Sequence, residues 1–527
     1  MKIVSCLLFS LLFHLFPFTS LASTSSAGHE DFLHCLLSNS TWMHGVIYTP
    51  SNSSYASVLD FSLHNRLYAT PETPKPLVIV TPIIGSQIQT VIYCSKKHEM
   101  EIRVRGGGHD FKGLSYVSQV PFVLLDMINL RSIDVDPVAA TAWVQSGATM
   151  GEVYYAIARK SKILGFPGGT YGSVGVTGLI GGGGYGVLRR KYGLAADNVI
   201  DARIVDVNGR ILDRKSMGED LFWAIRGGGP SSFGIILSWK LNLVSVPERV
   251  TIFGVTRTLD KNATDITWRW QTVAPDLPKD ADIRIQAHTI KKDNLGDDTA
   301  IVVKIVGLYL GGEDKLLPLM QERFPELNLA HKDCAEVSYI QSVLYFASNS
   351  LELPLETLLD RTTFKVPCKA KTDFVTRPIP KEGLNRIWEM LLKSDPDTTS
   401  LFLTSYGGKM DEISESAIPF PHRAGTLYMI SIRVIPRRDT PKALNWIRSF
   451  YSTLTPYVSS PRTAYVNFVD LDLGVNNQSG VTSYTQASKW GKMYYKDNFD
   501  RLVYVKSKVD PTNFFRHQQS IPLIKRM

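Results

Sequence analysis

The chain has 527 residues, of which 44% are hydrophobic and 20% charged, and its formal net charge is +9. A single hydrophobic core rarely grows beyond about 250–300 residues, so this length predicts two or three domains, and the ordinary composition argues against a disordered or fibrous protein. The positive charge is spread thinly, with no Lys/Arg cluster interleaved with aromatic residues, which argues against a nucleic-acid-binding protein and supports only a mild attraction to anionic or phenolate ligands.

The first 22 residues predict a secretory signal peptide. They carry one lysine, Lys2, then an apolar run and small residues near Ala22, and the run is too short and wrongly flanked for a membrane anchor. No other stretch is apolar enough to span a bilayer. We therefore expect a secreted protein without a membrane span, whose mature chain begins between Ser23 and Gly28.

Cysteines and glycosylation signals agree with a secreted chain. Outside the signal peptide the cysteines are Cys35, Cys94, Cys334 and Cys368. An even number favours disulfide bonds, and four cysteines allow three connectivities. The acceptor pattern Asn-x-Ser/Thr occurs at Asn39, Asn52, Asn262 and Asn477. These signals predict a glycoprotein.

A histidine directly behind three glycines is the most informative local feature. Residues 100–104 alternate like a strand, so Gly106–Gly108 predict a tight turn at its end. Without side chains, these glycines let the backbone approach a flat or charged ligand, toward which His109 would point. The spacing alone fits a surface histidine beside a turn equally well.

The coarse pattern changes near residue 250. Between about Pro76 and Val250, short apolar runs alternate with glycine turns and with a helical pattern at 150–161, which is typical of an α+β domain. Farther on, to about Tyr457, longer strand-like runs alternate with amphipathic helices, predicted at 382–394 and 441–454. This pattern predicts an antiparallel sheet covered by helices on one side, which we interpret as a substrate domain.

Four long segments resemble, in order, the flavin-binding segments of the berberine bridge enzyme-like plant oxidases. They are Arg103–Tyr116 (RVRGGGHDFKGLSY), Phe166–Asp213, Asp220–Gly229 (DLFWAIRGGG) and Ser507–Phe515 (SKVDPTNFF). The resemblance implies an α+β fold: a PCMH-type, vanillyl-alcohol-oxidase-like FAD-binding domain over 28–250, a substrate domain over 251–459, and a C-terminal segment, 460–527, that packs back on the FAD domain.

The resemblance also bears on cysteines and location. It favours a disulfide between Cys35 and Cys94, and leaves Cys334 and Cys368 open as a pair or as two buried thiols. It implies a secreted protein of the apoplast or the vacuole.

Gly181–Gly186 formally satisfies the dinucleotide-binding pattern G-x-G-x-x-G, and Asp206 follows about 20 residues later, where a ribose-binding acid would stand. The residues before the glycines are too glycine-rich for the buried strand that a Rossmann domain requires, so we reject that interpretation. We expect these glycines to bring backbone amides to the flavin pyrophosphate or ring without a helix dipole.

The resemblance implies FAD bonded through its 8α-methyl carbon to His109, and no metal. The residues it places around the flavin are Arg105, Gly106, Gly107, Gly108, Asp110, Gly169, Thr170, Tyr171, Val174, Gly175, Gly178, Gly182, Gly183, Tyr185, Gly186, Val199, Ile204 and Asn513. Relatives carry a second link through a cysteine, whose position is filled here by Tyr171, so a single covalent link follows. Val174 matches a position that governs oxygen access, and a valine there resembles oxygen-reactive members.

The substrate side departs from the family in the groups that would accept a proton. Phe111 and Phe468 stand where relatives have tyrosines, and Ser431 stands where they have glutamine or glutamate, while Tyr192 and Tyr465 are retained. Oxidation of an alcohol or amine by a flavin needs a base for the proton on the heteroatom. Phenylalanine cannot serve, and neutral serine is a poor substitute, so oxidase chemistry is expected to be lost or remodelled.

This pattern is similar to that of the mulberry-family Diels–Alderases, which join a dehydroprenyl diene to a chalcone. Such a cycloaddition transfers neither proton nor hydride, gains from stacking the two reactants, and gains from a donor on the enone oxygen, for which arginine is suited. The resemblance assigns catalysis to Arg433, Arg284, Tyr192 and Ser431 and the substrate pocket to Phe111, Phe468 and Tyr465. His288 shares the strand parity of Arg284 and is a further pocket candidate, with a core or surface histidine as the alternative. Strand alternation places Arg433 and Ser431 on one face, and Arg284 opposite its isoleucine neighbours.

Several functions stay open. We prefer a secreted, monomeric, FAD-bound Diels–Alderase acting on a phenolic diene and a chalcone-type dienophile. The alternative is an FAD-dependent oxidase that desaturates a prenylated phenol, or another small plant metabolite, and reduces O2 to H2O2, with Tyr465 or Tyr484 as a substitute base. A cell-wall carbohydrate or monolignol oxidase and a non-enzymatic flavin-binding protein come after these.

Overall fold

The computed structural model describes residues 21–38, 43–291, 299–395, 398–437, 439–477 and 482–524. Residues 1–20 of the predicted signal peptide and the glycosylation signal at Asn39 lie outside the described residues. Within the described ranges, no helix is both long enough and apolar enough to cross a membrane. The remaining glycosylation signals, at Asn52, Asn262 and Asn477, have exposed side chains.

The strands, in chain order, are β1 Ile47–Tyr48, β2 Val78–Val80, β3 Glu101–Arg105, β4 Phe122–Asp126, β5 Ile133–Asp136, β6 Thr141–Gln145, β7 Leu164–Gly165, β8 Val199–Val205, β9 Ile211–Leu212, β10 Ile235–Asn242, β11 Val244–Ser245, β12 Arg249–Thr258, β13 Ala281–Lys291, β14 Thr299–Tyr309, β15 Cys334–Ser338, β16 Lys369–Val375, β17 Thr399–Ser405 and β18 Tyr428–Val434.

The α-helices are α1 Leu21–Ser38, α2 Tyr55–Phe61, α3 Gly85–Lys97, α4 Met150–Lys160, α5 Val176–Gly181, α6 Arg189–Tyr192, α7 Arg214–Ile225, α8 Ala263–Asp276, α9 Glu313–Arg323, α10 Tyr339–Ser348, α11 Lys381–Leu392, α12 Lys409–Glu412, α13 Thr440–Thr453, α14 Tyr484–Tyr495 and α15 Asn498–Val509. The predicted helices at 150–161, 382–394 and 441–454 therefore form as α4, α11 and α13.

Two sheets build the N-terminal part of the chain. In the first, ordered β1-β2-β4-β3, β4 pairs in parallel with β2 and β3. All five residues of β4 are buried, as expected for a central parallel strand. The second sheet, ordered β5-β6-β10-β8-β9, is antiparallel. Strand β3 of the first sheet ends directly before the glycine turn, and this fixes the position of His109.

The disulfide predicted from the family resemblance is confirmed. Cys35 on α1 is bonded to Cys94 on α3. Cys334 and Cys368 are free thiols, the first half-buried and the second buried. α1 is thus held covalently against the first sheet.

The third sheet carries seven antiparallel strands in the order β15-β12-β14-β13-β17-β18-β16. Successive side chains along each strand point to opposite faces of the sheet. Ile283 and Ile285 therefore face a core that they share with Trp270 on α8 and Trp388 on α11. The opposite face, with Arg284, is turned toward a cavity. This sheet, covered by helices on one side, confirms the predicted α+β class and the predicted form of the second sheet-bearing region.

The C-terminal residues return to the N-terminal part. α15 packs against α7, and Lys506 on α15 is buried, where its ammonium donates to the carbonyls of Ser232 and Phe515 and pairs with Asp510. The segment Tyr465–Leu473, between α13 and α14, lies between the seven-stranded sheet and the glycine turn. It therefore contributes side chains to the same cavity.

Candidate active site

A cavity of about 430 Å³ lies between the glycine turns of the N-terminal part and the open face of the seven-stranded sheet. One half is walled by backbone, chiefly the glycines of the two turns around residues 106–108 and 175–182. The other half is walled by side chains of β13, β17 and β18, by α10 and by the segment around Tyr465. The division suits a flat ligand against the glycines and a second ligand against the sheet.

The glycines around His109 are required by close backbone approach. A Cβ on Gly107 would stand 2.2 Å from the backbone nitrogen of Gly175, and one on Gly175 would stand 2.3 Å from that of Gly107. Gly108 has a φ of +72° and packs on the carbonyl of Ser62. Only glycine allows these contacts, so the sequence dictates the turn that aims His109 at the cavity.

His109 is held from two sides. Its Nε2 lies 2.9 Å from Oγ of the buried Ser173, and its ring stacks on His64 with centroids 3.9 Å apart and an angle of 21° between the ring planes. Burial lowers the pKa of His64 to about 4 and holds the pKa of His109 well below its usual value, with the charge of His64 a second cause. Both imidazoles are therefore neutral near pH 7, and a neutral imidazole is a nucleophile.

Two arginines point from the sheet into the cavity, as the strand alternation predicted. Arg284 stacks on Phe346, its guanidinium carbon 4.4 Å from the ring centroid. Arg433 stacks on Phe364 and Phe402, at 4.7 and 5.5 Å, and its Nη1 donates to the Tyr171 hydroxyl at 3.2 Å.

The Nε of each arginine is buried without a hydrogen-bond partner among the described residues. Burial also lowers the pKa of Arg284, although a guanidinium stays charged near neutrality. Two cations with unused donors on an aromatic wall form a site for an anionic or carbonyl oxygen.

Phe111 and Phe468 form a further wall of the cavity. Their rings stack with centroids 4.7 Å apart. Ser431 and Tyr465 also line the cavity. The Tyr465 hydroxyl accepts from the Gly184 amide at 2.9 Å and from Asn467 Nδ2 at 2.8 Å. Burial nevertheless raises its pKa, so Tyr465 holds its proton near neutral pH.

The described lining holds few groups that could accept a proton. Among its described residues, Asp110 is the one carboxylate; its Oδ1 accepts from the Lys112 amide at 2.7 Å, and burial raises its pKa. The lining histidines are neutral and weakly basic, because burial lowers the pKa of His64 to about 4 and of His517 to about 3. A general base works best when its pKa is near the working pH, and neither His64 nor His517 meets that condition.

Most of the predicted site residues meet at this cavity. It is lined by Gly106, Gly107, Gly108, His109, Asp110, Phe111, Gly169, Thr170, Tyr171, Val174, Gly175, Gly178, Gly182, Tyr185, Arg284, Ser431, Arg433, Tyr465 and Phe468. The structure does not bring Arg105, Gly183, Gly186, Tyr192, Val199, Ile204, His288 or Asn513 to the lining.

The prediction that Arg105 contacts the flavin is wrong. This buried side chain pairs with Asp126 at 2.6 Å and donates to the carbonyls of Leu59 and Val58, so it ties β3 to β4 and α2. Tyr192, predicted as catalytic, also lies outside the cavity lining, and its hydroxyl donates to the Ser245 carbonyl.

The other misplaced residues fail for equally local reasons. Val199 and Ile204 are core residues of β8. Gly186 packs on the carbonyl of Gly168, Gly183 on Leu194 and Phe420, and Asn513 lies in a C-terminal turn with a φ of +54°. His288 has the expected parity but lies farther along β13, opposite Val302 and Ser400. Tyr484, the other substitute base, is on the surface, bonded to Asp500.

Sequence reasoning missed several lining residues: His64, Gln286, Phe346, Phe364, Phe402 and His517. Gln286 could have been found because it shares strand parity with Arg284 on β13. Phe402 could have been found because it pairs with Ser431 on the neighbouring strand. His64 and Phe364 lie in irregular segments, where no periodicity signals a facing direction.

The backbone-walled half fits FAD. Its glycines leave a slot in which Gly178 has no atom within 4 Å of an added Cβ, and the hydroxyls of Ser115 and Ser146, both in the lining, have no partner among the described residues. Unpartnered polar atoms beside bare backbone suit a long, flat ligand rich in hydrogen-bonding groups. His109, with Ser173 behind it, stands beside this slot.

Comparison with known proteins agrees with this fit. A family described as "FAD binding domain" matches residues 76–214, and one described as "Berberine and berberine like" matches residues 464–522. Tetrahydroberberine oxidase from Berberis wilsoniae is 49% identical over 523 residues, covering 98% of this chain and 97% of that protein.

Two further relatives extend the similarity to solved structures. Berberine bridge enzyme-like 28 from Arabidopsis thaliana is 46% identical, covering 99% of each chain. Its solved structure has a TM-score of 0.89 and covers 94% of this chain and 100% of its own. The solved berberine bridge enzyme from Eschscholzia californica is 37% identical, with a TM-score of 0.88 and the same coverage.

Proposed function

Within the berberine bridge enzyme-like family of FAD-dependent enzymes, to which this chain belongs, we propose that this member is a Diels–Alderase. It joins a dehydroprenyl phenolic diene to a chalcone-type dienophile in an intermolecular cycloaddition. One observation carries the proposal: the sheet side of the cavity presents two guanidinium groups, those of Arg284 and Arg433, whose buried Nε atoms have no hydrogen-bond partner among the described residues.

The arginines activate the dienophile. Arg284 and Arg433 donate to the enone oxygen of the chalcone and to a phenolic oxygen beside it. A donor on the enone oxygen draws electron density from the reacting double bond and lowers the barrier, and fixed donors need no reorganisation during the reaction. Stacking on Phe346 and Phe364 fixes the two guanidinium planes, so their charge is in place before the substrate arrives.

The remaining walls align the two reactants. Phe111 and Phe468 supply a flat apolar surface, and the glycine side supplies another, so planar substrates stack between them. Holding two reactants in a reactive geometry removes about 7–11 kcal/mol of barrier in favourable cases. A cycloaddition transfers no proton, which is why Phe468 and Ser431 suffice where an oxidase needs a base.

FAD is held by the glycine side, with one covalent link through His109. Tyr171, in the position of the second link, cannot form a thioether and instead receives a hydrogen bond from Arg433. When bound, FAD supplies redox chemistry in other family members. In this proposal it supplies a wall of the pocket and, by binding the folded state alone, adds to stability.

A second candidate is an FAD-dependent oxidase that desaturates a prenylated phenol. Val174 in the cavity lining favours it, since a valine at that position resembles oxygen-reactive members, and so does the similarity to tetrahydroberberine oxidase. Arg284 and Arg433 would repel a substrate that becomes a cation on oxidation, such as a tertiary amine. We therefore place second an oxidase that acts on a prenylated phenol or another small plant metabolite.

We also propose a monomer on the secretory route, in the apoplast or the vacuole. The Cys35–Cys94 disulfide suits an oxidising compartment. The exposed glycosylation signals at Asn52, Asn262 and Asn477 are compatible with it.

Removing either cavity arginine tests the function. Arg433→Ala and Arg284→Ala should each slow adduct formation about tenfold or more, which corresponds to about 1.4 kcal/mol of barrier. The measurement is the rate of adduct formation from a prenylated stilbenoid diene and a chalcone, with flavin content checked by absorbance. Arg269→Ala is the matched control, since Arg269 lies on α8, on the far side of the sheet, and pairs with Glu326 at the surface. Unchanged rates in both cavity variants would remove these arginines from the mechanism.

A further inference from the structure

Two hydroxyl groups, those of Ser173 and Thr363, connect His109 to a distant part of the chain. Ser173 Oγ lies 2.9 Å from His109 Nε2, the Thr363 hydroxyl donates to Ser173 Oγ at 2.8 Å, and Ser173 Oγ donates to the Thr363 carbonyl at 3.3 Å. Ser173 belongs to the N-terminal part, whereas Thr363 belongs to residues 361–368, which lead into β16 of the seven-stranded sheet. We call residues 361–368 the strap.

We propose that Ser173 and Thr363 are positioning residues for covalent attachment of FAD to His109, so that the strap completes the attachment site. This inference rests on the single link in the proposed function and goes beyond it. It assigns a role to two residues that the resemblance did not single out.

The hydroxyl network selects one tautomer of His109. Ser173 Oγ has one proton and two lone pairs. Its proton goes to the Thr363 carbonyl and one lone pair takes the Thr363 hydroxyl proton, so the arrangement that uses every group has His109 Nε2–H donating to the second lone pair. Nδ1 then carries a free lone pair. The nitrogen that is protonated is set by the hydrogen bond it makes.

The surroundings keep this imidazole reactive. The stacked His64 fixes the ring plane, and the ring of Phe364 lies nearly parallel to that of His109, with centroids 6.5 Å apart and an angle of 17° between the planes. Burial lowers the pKa of His109, so the imidazole is unprotonated near pH 7 and keeps a lone pair for bonding.

The strap is fixed at both ends to the N-terminal part. Arg361 pairs with Glu152 at 2.7 Å and donates to the Gly147 carbonyl at 2.9 Å. Val366 exchanges backbone hydrogen bonds with His64 and Arg66. Between these ends Phe364 has a φ of +69°. A bulky residue in this region is strained, and such strain concentrates at functional sites.

The chemistry of attachment balances as follows. A bond forms between His109 Nδ1 and the flavin 8α carbon, and one C–H bond of that carbon breaks, its proton leaving to solvent. The electron pair stays on the flavin, which is reduced, and dioxygen takes up the two electrons with two protons to give hydrogen peroxide. Ser173 and Thr363 transfer nothing in this step; they hold Nδ1 unprotonated and directed at the carbon.

The test is the fraction of FAD that stays on the protein after acid precipitation, checked by the mass of the intact chain. Ser173→Ala should slow attachment about tenfold or more, the order expected when the partner that orients a histidine is lost. Such a variant binds FAD but releases most of it in acid. Ser173→Thr keeps the hydroxyl and should keep the link. Thr363→Val, which spares the carbonyl acceptor, should have an intermediate effect.

The control is Thr362→Val, since the neighbouring Thr362 is exposed and bonds only to Asp360 among the described residues. Full retention of FAD by both Ser173→Ala and Thr363→Val would overturn the inference. If Ser173→Ala does not fold, Thr363→Val decides alone. Release of FAD from the parent protein would instead show that the single link of the proposed function is wrong, and the inference would fail with it.

Discussion

At the scale of single residues, Arg433 shows how charge and shape act together. Its guanidinium lies over the rings of Phe364 and Phe402 and donates to Tyr171, which leaves donors free for a substrate. A lysine at this position would keep the charge but lose the planar fork and the stacking. The shape of the group, not only its charge, should therefore decide activity.

This gives a residue-scale prediction for Arg433→Lys. We expect it to recover less than about one tenth of the parent rate of adduct formation, because a misdirected donor loses most of the stabilisation in the transition state. The rate is measured with saturating diene and dienophile, at equal flavin content. A Lys variant with the parent rate would show that charge alone is sufficient.

At the scale of elements, the segment Tyr465–Leu473 is held by a buried ionic cluster. Asp470 pairs with Lys371, with Lys369 at 3.3 Å and with Lys112 at 3.8 Å. Asp472 also pairs with Lys369 and Lys371. Burial and the nearby charge of Lys369 lower the pKa of Lys112. The cluster joins the glycine-turn region, β16 and the C-terminal segment, and it lies directly behind Phe111 and Phe468.

We predict that Asp470→Asn destabilises the protein by about 3–5 kcal/mol, because buried Lys112 loses its carboxylate partner while Lys369 and Lys371 keep only Asp472. Urea unfolding of the FAD-loaded protein measures the change. The control is Asp265→Asn, whose partner Lys381 lies at the surface, 2.6 Å away; an exposed pair contributes less than about 1 kcal/mol. Equal effects in the two variants would contradict a structural role for the cluster.

At the scale of the whole molecule, four buried neutral histidines make stability depend on pH. Burial lowers the pKa of His64 to about 4 and of His517 to about 3, and holds those of His109 and His422 well below the usual value. The unfolded chain takes up protons on these groups below about pH 6.5, and the folded chain does not. Stability therefore falls as pH drops through this range.

Three carboxyl groups of the described residues act in the opposite direction, since burial raises the pKa of Asp373 to about 6 and those of Asp110 and Asp411 as well. Four histidines against three carboxyls still leave the unfolded chain with more bound protons near pH 5. We predict a lower thermal unfolding midpoint at pH 5 than at pH 7, measured by circular dichroism in one buffer system. An equal or higher midpoint at pH 5 would contradict the assignment of neutral histidines.

The fold and half of the site could be predicted because local rules set them. The period of two along β13 and β18 predicted the strand faces of Arg284 and Arg433, and the family resemblance placed both in the pocket. Gly106–Gly108 dictated the turn before His109. Arg105 and Tyr192 were misplaced because their partners, Asp126 and Ser245, are distant in sequence. The contact between Ser173 and Thr363 spans 190 residues and forms only when the strap crosses between sheets. Strand parity and glycine turns do not encode such a contact.

The central claim is that the cavity catalyses a reaction without electron transfer, and one anaerobic absorbance measurement tests it most directly. The purified FAD-loaded protein is mixed without oxygen, first with a prenylated stilbenoid or benzofuran and then with a chalcone, while the visible band of oxidised flavin is followed. We predict that the band does not change at either step and that adduct forms after the chalcone is added. Bleaching of the band by the prenylated phenol alone would show hydride transfer to the flavin, contradict the Diels–Alderase assignment and establish the oxidase.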